Sequence, residues 1–324
     1  MARTAMIERT GGPEVIQWVD VELPPPGPGQ LQVRHVAIGL NFIDTYHRSG
    51  LYPVALPSGL GSEAAGVVEA VGEGVAGFAV GDRVATFGPG LGAYASARNA
   101  SAEIWFKIPD TLSFELAAAV MLKGCTAEYL IERCARVQAG MTVLVHAAAG
   151  GTGQLLVQWL KHLGAQVIGT VGSPEKAERA RALGADHVIE YRNEDIATRV
   201  RAITGGEGVP VVLDGVGMAT WEASLKSAAR RGLIVSFGNA SGPVTDVDLG
   251  TLSQHGSLFV TRPTAFHYYL TPEERAAGVA RVFDLVMRGV LKVEIGQRYA
   301  LKDAAEAHRA IAAGETMGAT LLMP

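Results

Sequence analysis

The 324-residue chain has few cysteines, few aromatic residues and little net charge, and each shortage excludes a class of protein. Two cysteines, Cys125 and Cys134, are too few for a disulfide framework or a four-cysteine zinc lobe. An aromatic content of 6% argues against a surface that binds nucleic acid mainly by base stacking. A net charge of −4, from 28 basic and 32 acidic residues, argues against a protein that binds nucleic acid through contacts with its phosphates.

Long hydrophobic runs are also missing. The sequence contains no stretch of about 18 uncharged apolar residues, the length that a membrane-spanning helix needs. The first residues lack the apolar core of a signal peptide. We therefore expect a protein of the cytoplasm.

Glycine is abundant. The 40 glycines are spread along the chain, which is typical of many tight turns between strands and helices. Hydrophobic residues make up 48% and charged residues 19%, an ordinary globular composition. At roughly 150 residues per domain, the length predicts about two domains.

The first third of the chain has the pattern of an antiparallel, β-rich domain with few helices. Short apolar segments at 31–38, 64–71 and 83–87 are predicted strands. The residues between the second and third segments mark turns, because glycine recurs there at 72, 74, 77 and 81.

Strands and helices alternate from about Leu112 onward. The predicted strands are 141–146, 166–171, 186–191, 209–214, 232–238 and 257–262, and the predicted helices are 151–163, 174–184, 194–203 and one that ends near 230. Alternation of this length predicts a doubly wound parallel sheet. Two amphipathic helices at 272–289 and 302–313 and a strand at 319–323 follow. We expect this tail to pack on the first domain.

The strand at 141–146 runs directly into a glycine turn and a helix. The turn, at 147–153, has the spacing A-x-x-G-x-x-G, a variant of the glycine pattern of dinucleotide-binding domains. Its glycines let the backbone approach a pyrophosphate, and the free N–H groups of the helix N-terminus favour negative charge. The sequence therefore predicts a dinucleotide site at this turn.

The end of the next strand distinguishes NADPH from NADH. NAD enzymes usually place Asp or Glu there, bonded to the ribose 2′-hydroxyl, whereas residues 169–173 contain no acid. A carboxylate there repels a 2′-phosphate, so its absence favours NADPH. Lys176, at the start of the following helix, is a candidate partner for that phosphate, with Tyr191 and Arg192 as further candidates. The alternative for Lys176 is a solvated helix residue.

Several motifs together resemble a known family. They are GGPEV at 11–15, NFIDTYHRSGLYP at 41–53, GSEAAGVVEAVG at 61–72, GDRV at 81–84, HAAAGGTG at 146–153, VSFGN at 235–239 and VTRP at 260–263. They span essentially the whole chain, which resembles the zinc-independent NADPH:quinone oxidoreductases. These form the ζ-crystallin-like group of the medium-chain dehydrogenase/reductases.

The resemblance implies an α/β fold of two domains. A GroES-like, β-rich catalytic domain is expected at 1–122, a Rossmann NADPH-binding domain with a doubly wound parallel sheet at 123–263, and a C-terminal segment returning to the catalytic domain at 264–324. The resemblance also implies a homodimer joined at the edges of the nucleotide-binding sheets. The apolar segment 257–261 suits such an edge, because an uncovered apolar edge strand promotes aggregation.

Related alcohol dehydrogenases carry zinc, but the corresponding positions here lack the ligands that zinc prefers. Residues 41–44 contain no cysteine, Ser62-Glu63 stands where a zinc enzyme has His-Glu, and residues 120–123 end in lysine. Asp44, His47 and Glu63 are a poor alternative set. We therefore expect no metal, and we predict that Glu63 is a structural acid, hydrogen-bonded inside the catalytic domain.

The resemblance also assigns residues to NADPH. Residues of the glycine turn are expected at the pyrophosphate, residues at the start of the next helix at the 2′-phosphate, and others around the ribose and nicotinamide. The pyrophosphate residues are Gly150, Gly151, Thr152 and Gly153, the 2′-phosphate residues are Gly172, Ser173, Lys176 and Tyr191, and the remainder are Phe42, Tyr46, Thr126, Tyr129, Phe237, Gly238, Asn239, Val260 and Thr261.

The quinone is expected between the domains, beside the nicotinamide. Asn41, Tyr46, Tyr52 and Arg262 are the candidate catalytic residues. A phenol or guanidinium donor stabilises the charge that grows on a quinone oxygen. For the two tyrosines the alternative is packing, with the hydroxyl bonded to the backbone. His47 is predicted to be a surface histidine.

Four further residues are predicted to be structural. Asp82 and Arg83 belong to the GDRV motif and are expected to support the fold. Asp214, at the end of a strand, is expected to cap a turn or helix. Cys125 is expected to be an inert buried thiol.

The predicted function is NADPH-dependent reduction of quinones without zinc. Hydride transfer to a good acceptor needs no Lewis acid, and the cofactor carries the chemistry. The reaction passes either single electrons, with release of semiquinones, or two electrons as a hydride. Two rivals stay open. One is an NADPH-dependent enoyl or alkenal reductase of the same superfamily, and the other is a non-catalytic NADPH-binding or RNA-binding crystallin-like protein, for which the negative charge is unfavourable.

Overall fold

A computed structural model describes residues 1–88 and 90–324, which form two units. The first unit contains residues 1–125, 271–287 and 293–324. The second contains residues 126–270 and 288–292. The first unit is therefore built from both ends of the chain, and the second is an insertion between them.

The elements are numbered along the chain. The strands are β1 (Ala2–Ile7), β2 (Gln17–Val21), β3 (Gln30–Leu40), β4 (Ser58–Gly59), β5 (Glu63–Val71), β6 (Arg83–Phe87), β7 (Ala97–Ser101), β8 (Trp105–Lys107), β9 (Thr142–Val145), β10 (Gln166–Val171), β11 (His187–Glu190), β12 (Val209–Asp214), β13 (Ala228–Ser236), β14 (Phe259–Thr261), β15 (Ile295–Ala300) and β16 (Ala319–Met323). The helices are α1 (Phe42–Ser49), α2 (Phe114–Glu128), α3 (Gly151–His162), α4 (Pro174–Ala182), α5 (Ile196–Ile203), α6 (Trp221–Ser227), α7 (Gly250–Gln254), α8 (Ala265–Tyr268), α9 (Pro272–Met287) and α10 (Ala304–Ala312).

The first unit contains two sheets that are mainly antiparallel. The small sheet has the order β2-β1-β4, and the large one has the order β15-β16-β3-β5-β6-β8, with β7 also paired to β3. The last strand of the chain, β16, pairs with β3, so residues almost 300 positions apart are neighbours in one sheet. Among the described residues of this unit, one apolar cluster lies around Ile38, Leu60 and Tyr94 and another around Leu31, Val84 and Trp105.

The second unit is a parallel sheet of six strands in the order β11-β10-β9-β12-β13-β14. This is the doubly wound order, in which the strand order reverses between β9 and β12. The predicted parallel sheet is therefore confirmed. Its core contains the buried strand residues Leu144, Ile168 and Val212, packed with residues of α5 and α6.

Local sequence explains the ends of α4. Ser173 is its N-cap, and the Ser173 hydroxyl oxygen accepts a hydrogen bond from the Lys176 backbone N–H at 3.3 Å. Pro174 occupies the first turn, where its missing N–H costs nothing. Gly184 follows the helix with φ of +105°, a conformation that favours glycine. The predicted start of this helix, at residue 174, is confirmed.

Several predicted elements differ from the structure by a few residues at their ends, and two helices show the reason. The helix expected to end near residue 230 ends at Ser227, because Ala228 already begins β13 and pairs with Val209 of β12. The helix expected from 194 begins at Ile196, because the Asp195 carboxylate caps it by accepting the Thr198 N–H at 2.8 Å. Among the residues described, no helix is both long and apolar enough to cross a bilayer.

Candidate functional site

The glycine turn after β9 forms a tight connection into α3. Ala147 adopts a left-handed conformation with φ of +52°, and Gly150 is the helix N-cap. A Cβ atom added to Gly153 would lie 2.1 Å from the Ala147 carbonyl oxygen, so only glycine permits this approach of helix and turn. The N–H groups of the first turn of α3, which includes Gly151 and Thr152, are left for an anion.

The start of α4 forms a second part of the same edge of the sheet. Tyr191 directly follows β11, and its N–H donates to the Val171 carbonyl oxygen of β10 at 3.1 Å. A Cβ atom added to Gly172 would lie 2.4 Å from the Tyr191 hydroxyl oxygen. The structure thus brings the predicted 2′-phosphate residues Gly172, Ser173 and Tyr191 together, with Lys176 half-buried in the first turn of α4.

One acidic residue lies beside these groups. Glu175 is exposed in the first turn of α4, and a hydrogen bond with Ser173 lowers the pKa of its carboxyl group. Glu175 follows the strand end by four positions along the chain, so it is not the strand-end acid that marks NAD enzymes.

The ends of β13 and β14 carry the residues predicted for the nicotinamide end. The Phe237 N–H donates to the Asp214 carbonyl oxygen at 2.8 Å, which ties the end of β13 to the end of β12. Arg262 directly follows β14 and donates from Nη1 to the Ser236 carbonyl oxygen at 2.6 Å. Gly238 and Asn239 follow β13, while Val260 and Thr261 lie in β14. All of these residues lie at or near the carboxyl edge of the sheet.

Thr126 and Tyr129 have a different neighbourhood. Thr126 lies in the last turns of α2, and Tyr129 begins a π-helical turn, Tyr129–Cys134. The Tyr129 ring stacks on Tyr268 with centroids 4.7 Å apart and meets Tyr269 edge-on at 6.2 Å. An aromatic cluster therefore surrounds Tyr129, and π-helical turns are often found at functional sites.

These residues fit a phosphorylated dinucleotide. The turn before α3 has the close backbone approach that a pyrophosphate site requires, and α4 begins with a hydroxyl and carries a lysine in its first turn. The end of β10 holds no carboxylate that would repel a 2′-phosphate. Gly172 and Tyr191 form a cradle that any side chain at position 172 would fill.

A buried network lies beneath the strand ends, and we call it the threonine network: Thr170, His146, Ser224 and Asp214. Ser224 donates to an Asp214 carboxylate oxygen at 2.7 Å. Because its proton is used in that bond, the Ser224 hydroxyl oxygen acts as an acceptor toward His146 Nε2, 3.1 Å away, so Nε2 carries a proton. In the neutral ring, Nδ1 then accepts from the Thr170 hydroxyl at 3.0 Å. This arrangement places the proton of neutral His146 on Nε2, and burial lowers the pKa of the ring.

In the first unit, four of the predicted site residues lie in helix α1 or directly beside its ends. Asn41 is its N-cap, and the Tyr46 ring lies between Phe42 and Tyr52, with centroid distances of 5.6 and 5.1 Å. The Tyr52 N–H donates to the Tyr46 carbonyl oxygen at 3.2 Å. Tyr46 is buried and Tyr52 is half-buried. The structure therefore brings Phe42, Tyr46 and Tyr52 together in one aromatic cluster, which we call the α1 cluster, and Asn41 lies at the start of the same helix.

Glu63 is fully buried, and its carboxylate is bonded on both oxygens. Oε1 accepts from the Leu122 N–H at 2.7 Å, and Oε2 accepts from Asn41 Nδ2 at 2.7 Å and from the Lys123 ammonium at 3.3 Å. The prediction of a structural acid is confirmed. Lys123 is the cation that pairs with the Glu63 carboxylate. Within residues 1–88 and 90–324, no group of three His, Cys, Asp or Glu side chains is placed to hold a metal ion.

A second buried network lies behind α1, and we call it the arginine network: Arg48, His308, Tyr94 and Asp44. The Tyr94 hydroxyl donates to an Asp44 carboxylate oxygen at 2.9 Å and accepts from His308 Nε2 at 3.0 Å. Arg48 Nη1 donates to His308 Nδ1 at 3.2 Å. Burial and the Arg48 charge lower the pKa of His308 to about 3, and burial raises the pKa of Asp44 to about 6.

The structural predictions for single residues are mostly confirmed. Asp214 accepts from the N–H groups of Val216 and Gly217 at 2.8 and 3.0 Å, as expected for a turn cap. Cys125 is buried. Asp82 pairs with Lys107, and Arg83 donates to backbone carbonyls.

The prediction for His47 is wrong. The ring is half-buried, its Nδ1 atom has no hydrogen-bond partner, and burial lowers its pKa. The reason is tertiary, because the Tyr52 ring covers it with centroids 6.0 Å apart.

Sequence reasoning missed both buried networks. Arg48 and His308 lie 260 positions apart along the chain, and His146 and Ser224 lie 78 apart, so no local pattern connects them. The one local signal was the pair Asn41 and Asp44, whose spacing suits a capping box. The Asn41 N–H does donate to the Asp44 carboxylate, at 2.9 Å.

Comparison with known families identifies both parts of the chain. Residues 27–173 match the model of the alcohol dehydrogenase GroES-like domain, and residues 151–272 match the model of the zinc-binding dehydrogenases. The GroES-like and Rossmann-type fold expected from the sequence is thereby confirmed.

Individual relatives match over the full length. The chain is 54% identical to a quinone oxidoreductase of Pseudomonas aeruginosa, with 100% of both chains covered. It is 45% identical to a 2-haloacrylate reductase of a Burkholderia species, covering 100% of this chain and 99% of the relative. Among solved structures, Escherichia coli quinone oxidoreductase complexed with NADPH superposes with a TM-score of 0.97 at 49% identity, over 99% of this chain and 100% of the other.

Proposed function

The chain belongs to the quinone oxidoreductase family of the medium-chain dehydrogenase/reductases and reduces quinones with NADPH, and from this premise we propose which of its own residues do so and that no zinc takes part. The observation that carries the residue assignment is the start of α4, where the Tyr191 hydroxyl lies against Gly172, Ser173 accepts from the Lys176 backbone N–H, and the strand end holds no acid. The first turn of α3 would hold the pyrophosphate. When bound, NADPH would supply the reducing equivalents for the quinone.

The α1 cluster is proposed to meet the quinone. Tyr46 and Tyr52 each present a phenol, and Arg262 presents a guanidinium. Donors of this kind stabilise negative charge that grows on a quinone oxygen during reduction. Asn41 is proposed to act by position, because its amide group donates to Glu63 and its backbone begins α1.

The role of Lys176 is tested by exchanging it for alanine. We expect Lys176→Ala to raise the KM for NADPH about 10- to 100-fold, the loss of a charge-assisted contact, and to leave the KM for NADH nearly unchanged. Glu175→Gln is the matched variant, because it removes a negative charge from the same helix turn where Lys176→Ala removes a positive one. Removing its negative charge should lower the KM for NADPH without changing that for NADH. Equal effects on both cofactors would contradict the assignment.

The phenols are tested by Tyr52→Phe and Tyr46→Phe. Each exchange keeps the ring in the α1 cluster and removes only the hydroxyl. If a phenol donates to the quinone, kcat with 1,4-benzoquinone should fall about tenfold while the KM for NADPH stays unchanged. An unchanged kcat in both variants would mean that these hydroxyls serve packing.

Zinc independence rests on the surroundings of Glu63. Its carboxylate is already balanced by the Lys123 ammonium and bonded by two N–H donors, so it lacks a free oxygen for a metal. The measurement is turnover of 9,10-phenanthrenequinone by enzyme dialysed against EDTA, with bound zinc determined on the same sample. Loss of turnover that zinc restores would refute the proposal.

A second activity is favoured by one relative, the 2-haloacrylate reductase. In an enoyl or alkenal reductase, a carbon atom of the substrate receives the hydride. In quinone reduction, the electrons enter the ring and its oxygen atoms. Comparison of kcat/KM for 1,4-benzoquinone and for 2-chloroacrylate with the same NADPH-saturated enzyme separates the two. A higher value for the acrylate would make it the preferred substrate class.

The proposed assembly is a homodimer joined at β14. This strand is the outer edge of its sheet, and Phe259 and Val260 are 61% and 39% exposed. Exposed apolar edges are usually covered by a partner. Sedimentation should give a dimer for the native chain and a monomer for Phe259→Asp.

The proposed compartment is the cytoplasm. Cys125 and Cys134, the two cysteines of the sequence, are not joined in a disulfide, as is usual where glutathione keeps cysteines reduced. Cell fractionation measured with the quinone reductase activity tests this.

A further inference from the structure

Three buried nitrogen atoms without hydrogen-bond partners lie close together in the first unit. They are Arg98 Nε, His35 Nε2 and Trp105 Nε1. The Arg98 guanidinium lies 5.3 Å from the centre of the Trp105 ring, and the His35 and Trp105 ring centres are 6.0 Å apart. Because buried polar atoms nearly always have partners, three neighbours without one indicate that a partner binds from outside.

Arg98 is a buried cation with no acid beside it. The residue is 9% exposed, and none of the ion pairs among the described residues includes it. Its guanidinium makes one weak hydrogen bond, from Nη1 to the Gly90 carbonyl oxygen at 3.4 Å. Burial lowers its pKa to about 10, and no neighbouring charge opposes this effect. The Trp105 ring faces the cation, but stacking of this kind leaves the in-plane Nε–H without an acceptor.

A cleft opens at Arg98. It has a volume of about 410 Å³, which is within the range of small-molecule sites. Apolar side chains line much of it, among them Met6, Val21, Leu23 and Ile104. The site therefore combines one buried positive charge with an apolar wall.

His35 and Trp105, which lie next to Arg98, differ in the hydrogen bonds that their ring nitrogens can make. His35 Nδ1 lies 2.8 Å from the Ala95 carbonyl oxygen and 3.1 Å from that of Ala93, so Nδ1 carries the proton and Nε2 is an acceptor. Trp105 Nε1 and Arg98 Nε are donors. Among the described residues, no carboxylate lines the cleft, and Arg98, which does line it, supplies both a positive charge and an in-plane N–H donor without a partner. A charge and a donor on one guanidinium match a carboxylate group.

We propose that this cleft binds a small organic carboxylate, whose acid group pairs with Arg98 and whose apolar part lies against Met6, Val21 and Leu23. The ligand class is an aliphatic monocarboxylate of a few carbons. The site is separate from the residues assigned to NADPH and quinone and adds a binding activity to the enzyme.

The test is a titration of the full chain, saturated with NADPH, with hexanoate. The probe is the Trp105 indole N–H signal in the ¹H–¹⁵N spectrum, assigned by its loss in Trp105→Phe. We expect hexanoate to shift this signal with a dissociation constant of about 1 mM or lower. The matched uncharged ligand, 1-hexanol, should shift it at least tenfold more weakly.

Two arginine variants sharpen the test. Arg98→Met removes the charge and keeps an apolar side chain, so hexanoate should no longer produce a saturable shift. Arg34→Met is the control, because Arg34 lies on the adjacent strand β3 and pairs with Glu69 at the surface. It should bind hexanoate as the native chain does. If Arg98→Met does not fold, Arg98→Lys should fold with weakened binding.

Any of three results would overturn the proposal. The first is the absence of a saturable Trp105 shift with hexanoate in the native chain. The second is equal binding of hexanoate and 1-hexanol by the native chain, and the third is hexanoate binding by Arg98→Met with unchanged affinity.

Discussion

The two units each contain a buried histidine held in the same order of hydrogen bonds, and the two differ only at one end. In both, Nε2–H donates to a hydroxyl that donates to a carboxylate: Tyr94 and Asp44 for His308, Ser224 and Asp214 for His146. The other ring nitrogen meets Arg48 in the arginine network and Thr170 in the threonine network. The end group therefore decides whether the ring can become charged.

Arginine and threonine impose different limits on the ring. A guanidinium has donors only, so protonated Nδ1 would face another N–H and a positive charge. The Thr170 hydroxyl can turn and accept, and the Asp214 charge raises the pKa of His146 against the effect of burial. The arginine network thus holds one protonation state, whereas the threonine network can respond to charge.

The two units also differ in backbone conformation. Among the described residues, all five non-glycine residues with positive φ lie in the second unit: Arg136, Ala147, Arg231, Asp246 and Ser257. Left-handed conformations cost residues other than glycine about 1 kcal/mol. In this unit the connections between strands and helices therefore carry the strain, and one of them is the dinucleotide turn.

The largest difference that we expect between the networks lies in their carboxylates. Asp214 accepts from the Val216 and Gly217 N–H groups and from the Thr220 and Ser224 hydroxyls. Asp214→Asn places an NH₂ group against these donors and should lower the free energy of unfolding by about 3 kcal/mol.

The matched variant is Asp44→Asn, measured by urea unfolding at pH 7.5. Burial has raised the pKa of Asp44 to about 6, so its charged form is already disfavoured. We expect a loss of only about 1 kcal/mol. Equal losses in the two variants would show that the number of donors does not separate the networks.

The next effect concerns the pH dependence of stability. The pKa of His308 is lowered to about 3 in the folded chain, while an unfolded histidine titrates near 6.5. Between these values the unfolded chain binds a proton that the folded chain does not, so stability falls as the pH falls below about 6.5. Asp44 opposes this, because its raised pKa makes the folded chain bind a proton between about 6 and 3.8.

His308→Gln should remove the histidine contribution. Between pH 6.5 and 5.0 the variant should lose about 2 kcal/mol less than the native chain, at 1.4 kcal/mol per pH unit. His146→Gln is the comparison in the other unit and should change the pH dependence less, because Asp214 partly offsets burial there. Urea unfolding at pH 7.5, 6.5 and 5.0 measures both, and a larger change in His146→Gln would reverse the comparison.

The smallest effect concerns the strained turn. Ala147→Gly relieves a left-handed alanine with φ of +52° and an exposed side chain. Relief of the strain should raise the free energy of unfolding by about 1 kcal/mol. The greater conformational entropy of glycine in the unfolded chain offsets part of this gain. Gly153→Ala is the opposite control and should destabilise, because its Cβ would meet the Ala147 carbonyl oxygen. A loss of stability in Ala147→Gly would mean that the alanine side chain supports the turn.

Local sequence predicted much of the fold. The strands 83–87, 166–171, 209–214 and 319–323 have the predicted bounds, because each is an apolar run between turn residues. The start of α4 was visible in Ser173 and Pro174 alone. The error near residue 230 arose because pairing with Val209, a distant strand, ended the helix early.

The sequence by itself determined the fold class, the dinucleotide turn and the preference for NADPH, because these depend on glycine spacing, hydrophobic period and the residue type at one strand end. Only the tertiary structure decided which histidines are held neutral and that Arg98 is buried without an acid. The reason is that hydrogen-bond partners and burial are set by residues such as Arg48 and His308, which are distant in the chain and meet only after folding.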